Sequence, residues 1–226
     1  MKLITLKILP SFLIEWILRF RSSREWKKRN FLNNSPQFVK EAIFKKYGLA
    51  DTKWVETGTY LGTTTNYLRK NYPHVFSIEP SKELYNFAKK RFKNKNVTLY
   101  NDVSENVMPL LLPSLSGNLN FWLDGHFSDG ITFRGKKDCP VEDELLTIEE
   151  NLERFDKLTI LIDDVRCFLP DYSENSDYPS IDYLVDWTRK HNMNWRIEHD
   201  IFIIQKLRSQ IIFKRLHNFI FTTFKI

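Results

Sequence analysis

The sequence predicts an α/β domain, a doubly wound and mainly parallel sheet closed by an antiparallel hairpin. Three observations carry that reading. Apolar runs alternate with amphipathic stretches through the middle of the chain, as expected when strands are buried under helices on both faces. A glycine-bearing turn, Trp54-Val-Glu-Thr-Gly-Thr-Tyr-Leu-Gly62, separates an apolar run from a helix-like one. Near the end, two extended runs, Trp195–Asp200 and Ile201–Gln205, meet at a tight His199-Asp200 turn.

In order along the chain, strands are expected near 53–57, 75–79, 97–101, 119–124 and 158–163. Helices are expected at about 36–47, 63–71, 81–92, 104–112, 141–152 and 178–191. Ser81 suits an N-cap because its hydroxyl can accept an orphan backbone N–H, with Leu84, Phe87, Ala88 and Phe92 as the buried stripe. Glu142, Asp143 and Glu144 open the next-to-last helix, where acids are favoured by the dipole and where one of them can reach a site. Tyr178-Pro-Ser opens the last helix, with Ile181, Leu184, Val185 and Thr188 facing inward.

The turn is the first functional signal. Glycines at 58 and 62 let the backbone bend sharply and let a ligand lie against main-chain N–H groups at the start of a helix. About twenty residues on, Glu79 closes the next strand, where a carboxylate can accept from both hydroxyls of a ribose. An ordinary βαβ unit with an exposed Glu is the plainer alternative. The pattern E-x-G-x-x-x-G lacks the G-x-G-x-x-G of a pyrophosphate cradle, which turns the reading from NAD towards an adenosine cofactor without phosphates.

From about Trp54 to Lys206 the chain resembles the class I S-adenosylmethionine-dependent methyltransferases, whose fold is Rossmann-like. Glu56, Gly58 and Gly62 match the first motif, Glu79 the second, and Asn101-Asp102 the polar position after the third strand that faces the adenine. Tyr60 stands where a further glycine is usual. The resemblance implies that Glu56, Gly58, Tyr60, Gly62, Glu79, Asp102 and Asp124 hold the cofactor, S-adenosylmethionine.

Two strand ends are unusually polar, and in open α/β sheets ligands bind beyond those ends. Phe121-Trp-Leu-Asp124-Gly-His126 puts an acid and an imidazole after an apolar strand. With an unperturbed pKa of about 6.5, His126 suits removal of a hydroxyl proton near neutral pH, unless it is a plain surface-loop histidine. Leu161-Ile-Asp163-Asp164 ends the fifth strand with two acids whose mutual repulsion a cation would relieve. The set resembles metal-dependent O-methyltransferases of sugars and natural products, which implies Mg²⁺ on Asp124, Asp163 and Asp164 with His126 as base and Asp124 beside it. Neighbouring strand residues point to opposite faces, so both Asp163 and Asp164 can ligate only where strand has become loop. Otherwise one of them caps a helix or pairs with Arg166. The Ser128–Pro140 insertion reads as a lid or substrate segment, in which Arg134, Lys136 and Lys137 suit an acidic acceptor or are simply solvated.

At 226 residues the chain accommodates one such domain with extensions: 1–35 as a basic amphipathic start, 36–206 as the domain, and 207–226 as a basic apolar tail. Cys139 and Cys167 are too few for a disulfide framework, which suits the cytoplasm. Residues 1–30 carry eight Lys/Arg against Glu15 and Glu25, and residues 206–226 carry five and no acid. Subtracting +6 and +5 from the total of +6 leaves −5 between them, which argues against a nucleic-acid groove across the fold. The apolar start is broken by Lys7, Pro10 and Glu15, so it reads as neither a spanning helix nor a cleaved signal. Trp16 and Trp26 among Arg19, Arg21, Arg24, Lys27, Lys28 and Arg29 suit a helix in a lipid headgroup layer at the inner membrane face. Packing of both ends on the domain, or a homo-oligomer contact, is the competing expectation.

Together these features point to methyl transfer onto a hydroxyl of a small molecule, sugar or glycan precursor. The alternatives are an N-methyltransferase, a metal-assisted hydrolase built on the same acids, or a non-catalytic scaffold that keeps the fold. An N/D-P-P-Y-type run after the fourth strand is missing, which weakens N-methylation of a base or amide.

Overall fold

The computed structural model describes residues 11–31, 35–126, 138–173 and 177–206. Seven strands form one sheet in the order β3-β2-β1-β4-β5-β7-β6. They are β1 (Trp54–Thr57), β2 (Val75–Ile78), β3 (Val97–Tyr100), β4 (Gly117–Leu123), β5 (Phe155–Ile162), β6 (Asn194–Glu198) and β7 (Ile201–Lys206). The first five run parallel, and β7 enters antiparallel between β5 and β6. The helices are α1 (Ser11–Lys28), α2 (Gln37–Tyr47), α3 (Thr63–Asn71), α4 (Lys82–Arg91), α5 (Ser104–Leu111), α6 (Val141–Glu150), the short α7 (Pro170–Ser173) and α8 (Ile181–Lys190). Every strand and helix expected between 36 and 206 is present, with ends shifted by a few residues.

The chain order reverses at β1, whose neighbours are β2 on one side and β4 on the other. In open α/β sheets it is at such a switch point, in the crevice beyond the carboxyl ends of the strands, that ligands bind. Two apolar layers fix it. One packs α5, α6 and α8 against Val55, Phe121, Ile160 and Phe202. The other packs Ile43, Phe44 and Tyr47 of α2 on Trp54, Trp122 and Leu161. Phe44 meets Trp54 and Trp122 edge to face at 5.5 and 4.8 Å, so α2 is locked above β1 and β4.

The Ser81 hydroxyl accepts the Leu84 N–H, and Leu84, Ala88 and Phe92 are buried as expected. Phe87 is a correction: it is 49% exposed, because the buried stripe of α4 is only the i, i+4 and i+8 row. His199 and Asp200 both take positive φ, 51° and 66°, as a two-residue hairpin turn of right-handed twist requires.

Among the described residues no helix is long and apolar enough to cross a membrane. The last turn of α1 packs on the domain, where the buried Trp26 meets His199 and Phe31 edge to face; higher up the helix Arg19 pairs with Glu41 of α2 at 3.2 Å. Its upper turns leave Trp16, Leu18 and Phe20 exposed. Trp16 and Phe20 stack on one side while Leu18 opens on the other, so α1 is less sharply two-faced than its sequence suggests.

Candidate active site

The turn after β1 forms the floor of the crevice. Gly58 has φ +81°, and a Cβ there would sit 2.2 Å from the Asp124 carbonyl oxygen, so only glycine fits where β1 passes β4. Gly62, φ +72°, caps α3 against the Phe92 ring, which a Cβ would strike at 2.7 Å. Tyr60 takes φ +49°, so the loop keeps its left-handed step without the usual glycine, and its side chain stays largely exposed.

Glu79 turns back onto this loop. Its Oε2 accepts the Tyr60 N–H at 2.7 Å and its Oε1 the Ser81 N–H at 2.9 Å. Burial pushes its pKa up while those two backbone hydrogen bonds hold it down. Each oxygen retains a second lone pair, so the carboxylate can still accept a ribose hydroxyl.

Glu56 sits deeper. It is wholly buried, and its Oε2 accepts from Thr65 Oγ1 and Ser77 Oγ at 2.6 Å each. Ser77 in turn meets Thr59 Oγ1 at 2.6 Å, so a row of hydroxyls joins the acid to the loop. Burial raises the Glu56 pKa to about 8, against those hydroxyls. The first-motif acid therefore braces the turn from beneath. Asp102 is exposed, and its Oδ1 accepts from Val103 N and Asn106 Nδ2, which fixes the start of α5. Asn101 Nδ2 donates to the carbonyls of Glu79 and Pro80 and so ties β3 to the end of β2.

On the other side of the switch point the ends of β4 and β5 bring Asp124, His126, Asp163 and Asp164 together. Asp124 N–H donates to Thr57 O at 3.3 Å and Asp163 N–H to Leu123 O at 3.1 Å, so the three strand ends are in step. Beyond Asp163 the chain reverses: Asp164 adopts φ 54°, ψ 46° and starts a 3-10 turn at Val165–Phe168. That reversal sends the two neighbouring carboxylates to different partners.

Asp163 is buried and pairs with the Lys40 ammonium from α2, which also lies 4.0 Å from Asp124 Oδ2. Asp164 Oδ2 lies 3.0 Å from His126 Nε2, and its Oδ1 accepts from Arg166 Nη1 at 2.7 Å. Arg166 bridges onward to Asp200 in the hairpin turn. Of the three uses foreseen for the acid pair, a shared cation, a helix cap or an ion pair with Arg166, the last is the one present at Asp164.

The expected Mg²⁺ triad needs correction. Among the described residues no group of three or more acid, histidine or cysteine side chains is arranged to hold a metal. Asp164 is committed to His126 and Arg166, and Lys40 already sits against Asp163 and beside Asp124. A divalent cation does not fit that arrangement.

Electrostatics follow the pairing. Burial opposes the Lys40 charge, but Asp124 and Asp163 outweigh it and hold the ammonium above its ordinary pKa. Burial likewise opposes the charge on Asp164, but His126 and Arg166 hold this carboxyl well below its usual range. For His126 burial disfavours the cation, while the hydrogen bond to Asp164 and the nearby Asp124 reverse the sign and raise its pKa. Asp124 is shifted up by burial, with Lys40 and His126 working against the shift.

Glu144 is the acid of α6 that reaches the site. It is fully buried under Gly125, whose Cβ would lie 3.4 Å from Glu144 Oε1. Burial raises its pKa to about 7; the Ser104 and Thr57 hydroxyls hold it down, although neither makes a hydrogen bond of ordinary geometry with it. Lys40, Thr65 and Ser77 had no signal in the sequence: one basic residue in a Lys-rich helix and two hydroxyls are indistinguishable from solvated or core positions. The Arg134, Lys136 and Lys137 segment and the 207–226 tail lie outside the described residues.

A methyltransferase from Geobacter sulfurreducens superposes with a TM-score of 0.51 at 10% identity, covering 89% of this chain and 92% of that one. The chain has a Rossmann-like methyltransferase fold. SMU.1697c of Streptococcus mutans, solved in complex with SAH, aligns at 12% identity over 77% of this chain and 98% of its own, TM-score 0.47. An rRNA methylase from Streptococcus thermophilus aligns at 17% identity over 78% and 99%, TM-score 0.45. No protein-family model matches the sequence, and a search of curated proteins gives no match either.

Proposed function

We propose that this chain is an S-adenosylmethionine-dependent methyltransferase that methylates a hydroxyl of a sugar or glycan precursor. One observation carries the reading: Glu79 lies against the Gly58–Gly62 loop, its carboxylate 2.7 Å from Tyr60 N, at the switch point of the sheet. That is where a nucleoside sugar needs an acid, and Gly58 keeps the bend free of side chain.

When bound, the cofactor supplies a methyl carbon already made electrophilic by its sulfonium. The chain then has to hold the nucleoside at Glu79, align the acceptor oxygen and take its proton. His126 is placed for the last task. With Nε2–H donated to Asp164, the imidazole keeps Nδ1 as its proton acceptor, on the side of the partly exposed Asp124. Asp124 Oδ1 is 3.7 Å from Nδ1, too far for a hydrogen bond, so among the described residues that nitrogen is left for the acceptor. Because the carboxylates raise the His126 pKa, the base works on the alkaline side of its ordinary value.

The acceptor class rests on the sequence resemblance at Asp124 and His126 and on basic ends suited to an anionic surface. An RNA acceptor is disfavoured by the net −5 between residues 31 and 205. The experiment is a methyl-transfer assay with the whole chain, S-adenosylmethionine and candidate polysaccharide intermediates, read by mass. Wild type is expected to add one methyl group at a hydroxyl and His126→Ala none. Methylation confined to amines, or undiminished in His126→Ala, refutes the assignment.

A further inference from the structure

The acids at the ends of β4 and β5 call for a positive charge, and the fold supplies one from within. Lys40 projects from the middle of α2, and α2 is locked over β1 and β4 by Phe44. Its ammonium contacts Asp163 Oδ2, lies 4.0 Å from Asp124 Oδ2 and stands 5.3 Å over the Trp122 ring. The side chain is 13% exposed, which leaves it at the edge of the crevice and not sealed in the core.

We propose that Lys40 is the built-in cation of this site: it occupies the place of a divalent metal, offsets one of the two negative charges that Asp124 and Asp163 can carry, and positions the acceptor hydroxyl beside His126. This rests on the methyltransferase reading for its final step, but not for the charge arrangement. Three facts converge on it. Among the described residues Lys40 is the cation that Asp124 and Asp163 share. Asp164 is withdrawn from them by His126 and Arg166, so among the described residues Asp163 has Lys40 as its cation, and Asp124 has Lys40 and, at 3.7 Å, His126. Buried acids without a partner are costly, and a fixed ammonium offsets that cost without a dehydrated ion having to bind.

A lysine that merely braced α2 would also lower stability when removed, so the test reads metal binding. Mn²⁺ is titrated into the full chain and followed by electron paramagnetic resonance, beside Lys40→Ala, Lys40→Arg and Asp163→Asn. Wild type and Lys40→Arg are expected to show no stoichiometric Mn²⁺ site. Lys40→Ala removes the ammonium from Asp163 and from beside Asp124, and is expected to bind Mn²⁺ at least about tenfold more tightly than wild type. A stoichiometric site in wild type that Asp163→Asn abolishes overturns the proposal, and so does a folded Lys40→Ala that gains nothing. The wild-type measurement decides the matter even where Lys40→Ala does not fold. Calorimetry with S-adenosylmethionine on the same wild-type sample keeps the two readings apart, since failure to bind it counts against the methyltransferase reading and leaves the Mn²⁺ result standing.

Discussion

Glu79 Oε2 accepts the Tyr60 N–H at 2.7 Å, so the carboxylate at the end of β2 is held against the loop that leaves β1. The pair closes the crevice floor across nineteen residues of chain. It fixes both the acid that would take a ribose and the backbone against which the nucleoside would lie.

Glu79→Ala removes a charged acceptor at this point and frees the Tyr60 loop. Hydrogen bonds to charged groups contribute about 1.5–3 kcal/mol, so the affinity for S-adenosylmethionine is expected to fall by roughly 10- to 100-fold. Titration calorimetry on Glu79→Ala and Glu79→Gln measures it; equal affinity in all three proteins removes Glu79 from the pocket.

Gly58 and Gly117 have nearly the same φ, +81° and +82°, yet a Cβ at Gly58 would meet the Asp124 carbonyl while one at Gly117 meets nothing within 4 Å. Gly117→Ala should therefore cost only left-handed strain, about 1 kcal/mol. Gly58→Ala adds a backbone clash and should cost clearly more. Urea unfolding of the two variants compares them directly, and equal losses would mean that β1 and β4 can part at no cost.

Burial raises the Glu56 pKa from its ordinary 4.5 to about 8. The folded chain thus holds a proton that the unfolded chain releases, and stability falls as pH rises from about 4.5 towards 8. Glu56→Gln cannot ionise, so its thermal midpoint is expected to decline less over that window and to exceed that of wild type near pH 8. Parallel melting curves across pH 5–8.5 would argue against a protonated Glu56.

Trp16 is 62% exposed and Phe20 57%, on a helix whose last turn carries Lys27 and Lys28. If α1 meets an anionic lipid surface, sedimentation with phosphatidylserine vesicles should recover the whole chain at low salt, and less at high salt. Trp16→Ala with Phe20→Ala should weaken recovery several-fold. A chain that never sediments refutes the lipid contact.

The fold was legible because its signals are local. Continuous apolar runs, the Ser81 cap, the Tyr178-Pro-Ser opening and the His199-Asp200 turn each announce themselves within a few residues. The site was legible in part. Gly58 and Glu79 stand at a spacing set by one βαβ unit, so the sequence places them together. The Lys40 to Asp163 contact spans 123 residues and depends on how α2 packs over β4, which nothing near Lys40 records. The adjacency of Asp163 and Asp164 suggested a shared ion. A single left-handed residue at Asp164 parts them, and backbone conformation of that kind is invisible in a two-residue motif.

The most direct measurement is calorimetric titration of the intact chain with S-adenosylmethionine and with its demethylated product. The account predicts saturable binding of both at one site per chain, weakened by Glu79→Ala and preserved in His126→Ala. Heats indistinguishable from dilution for both ligands, with a chain that is demonstrably folded, would contradict it.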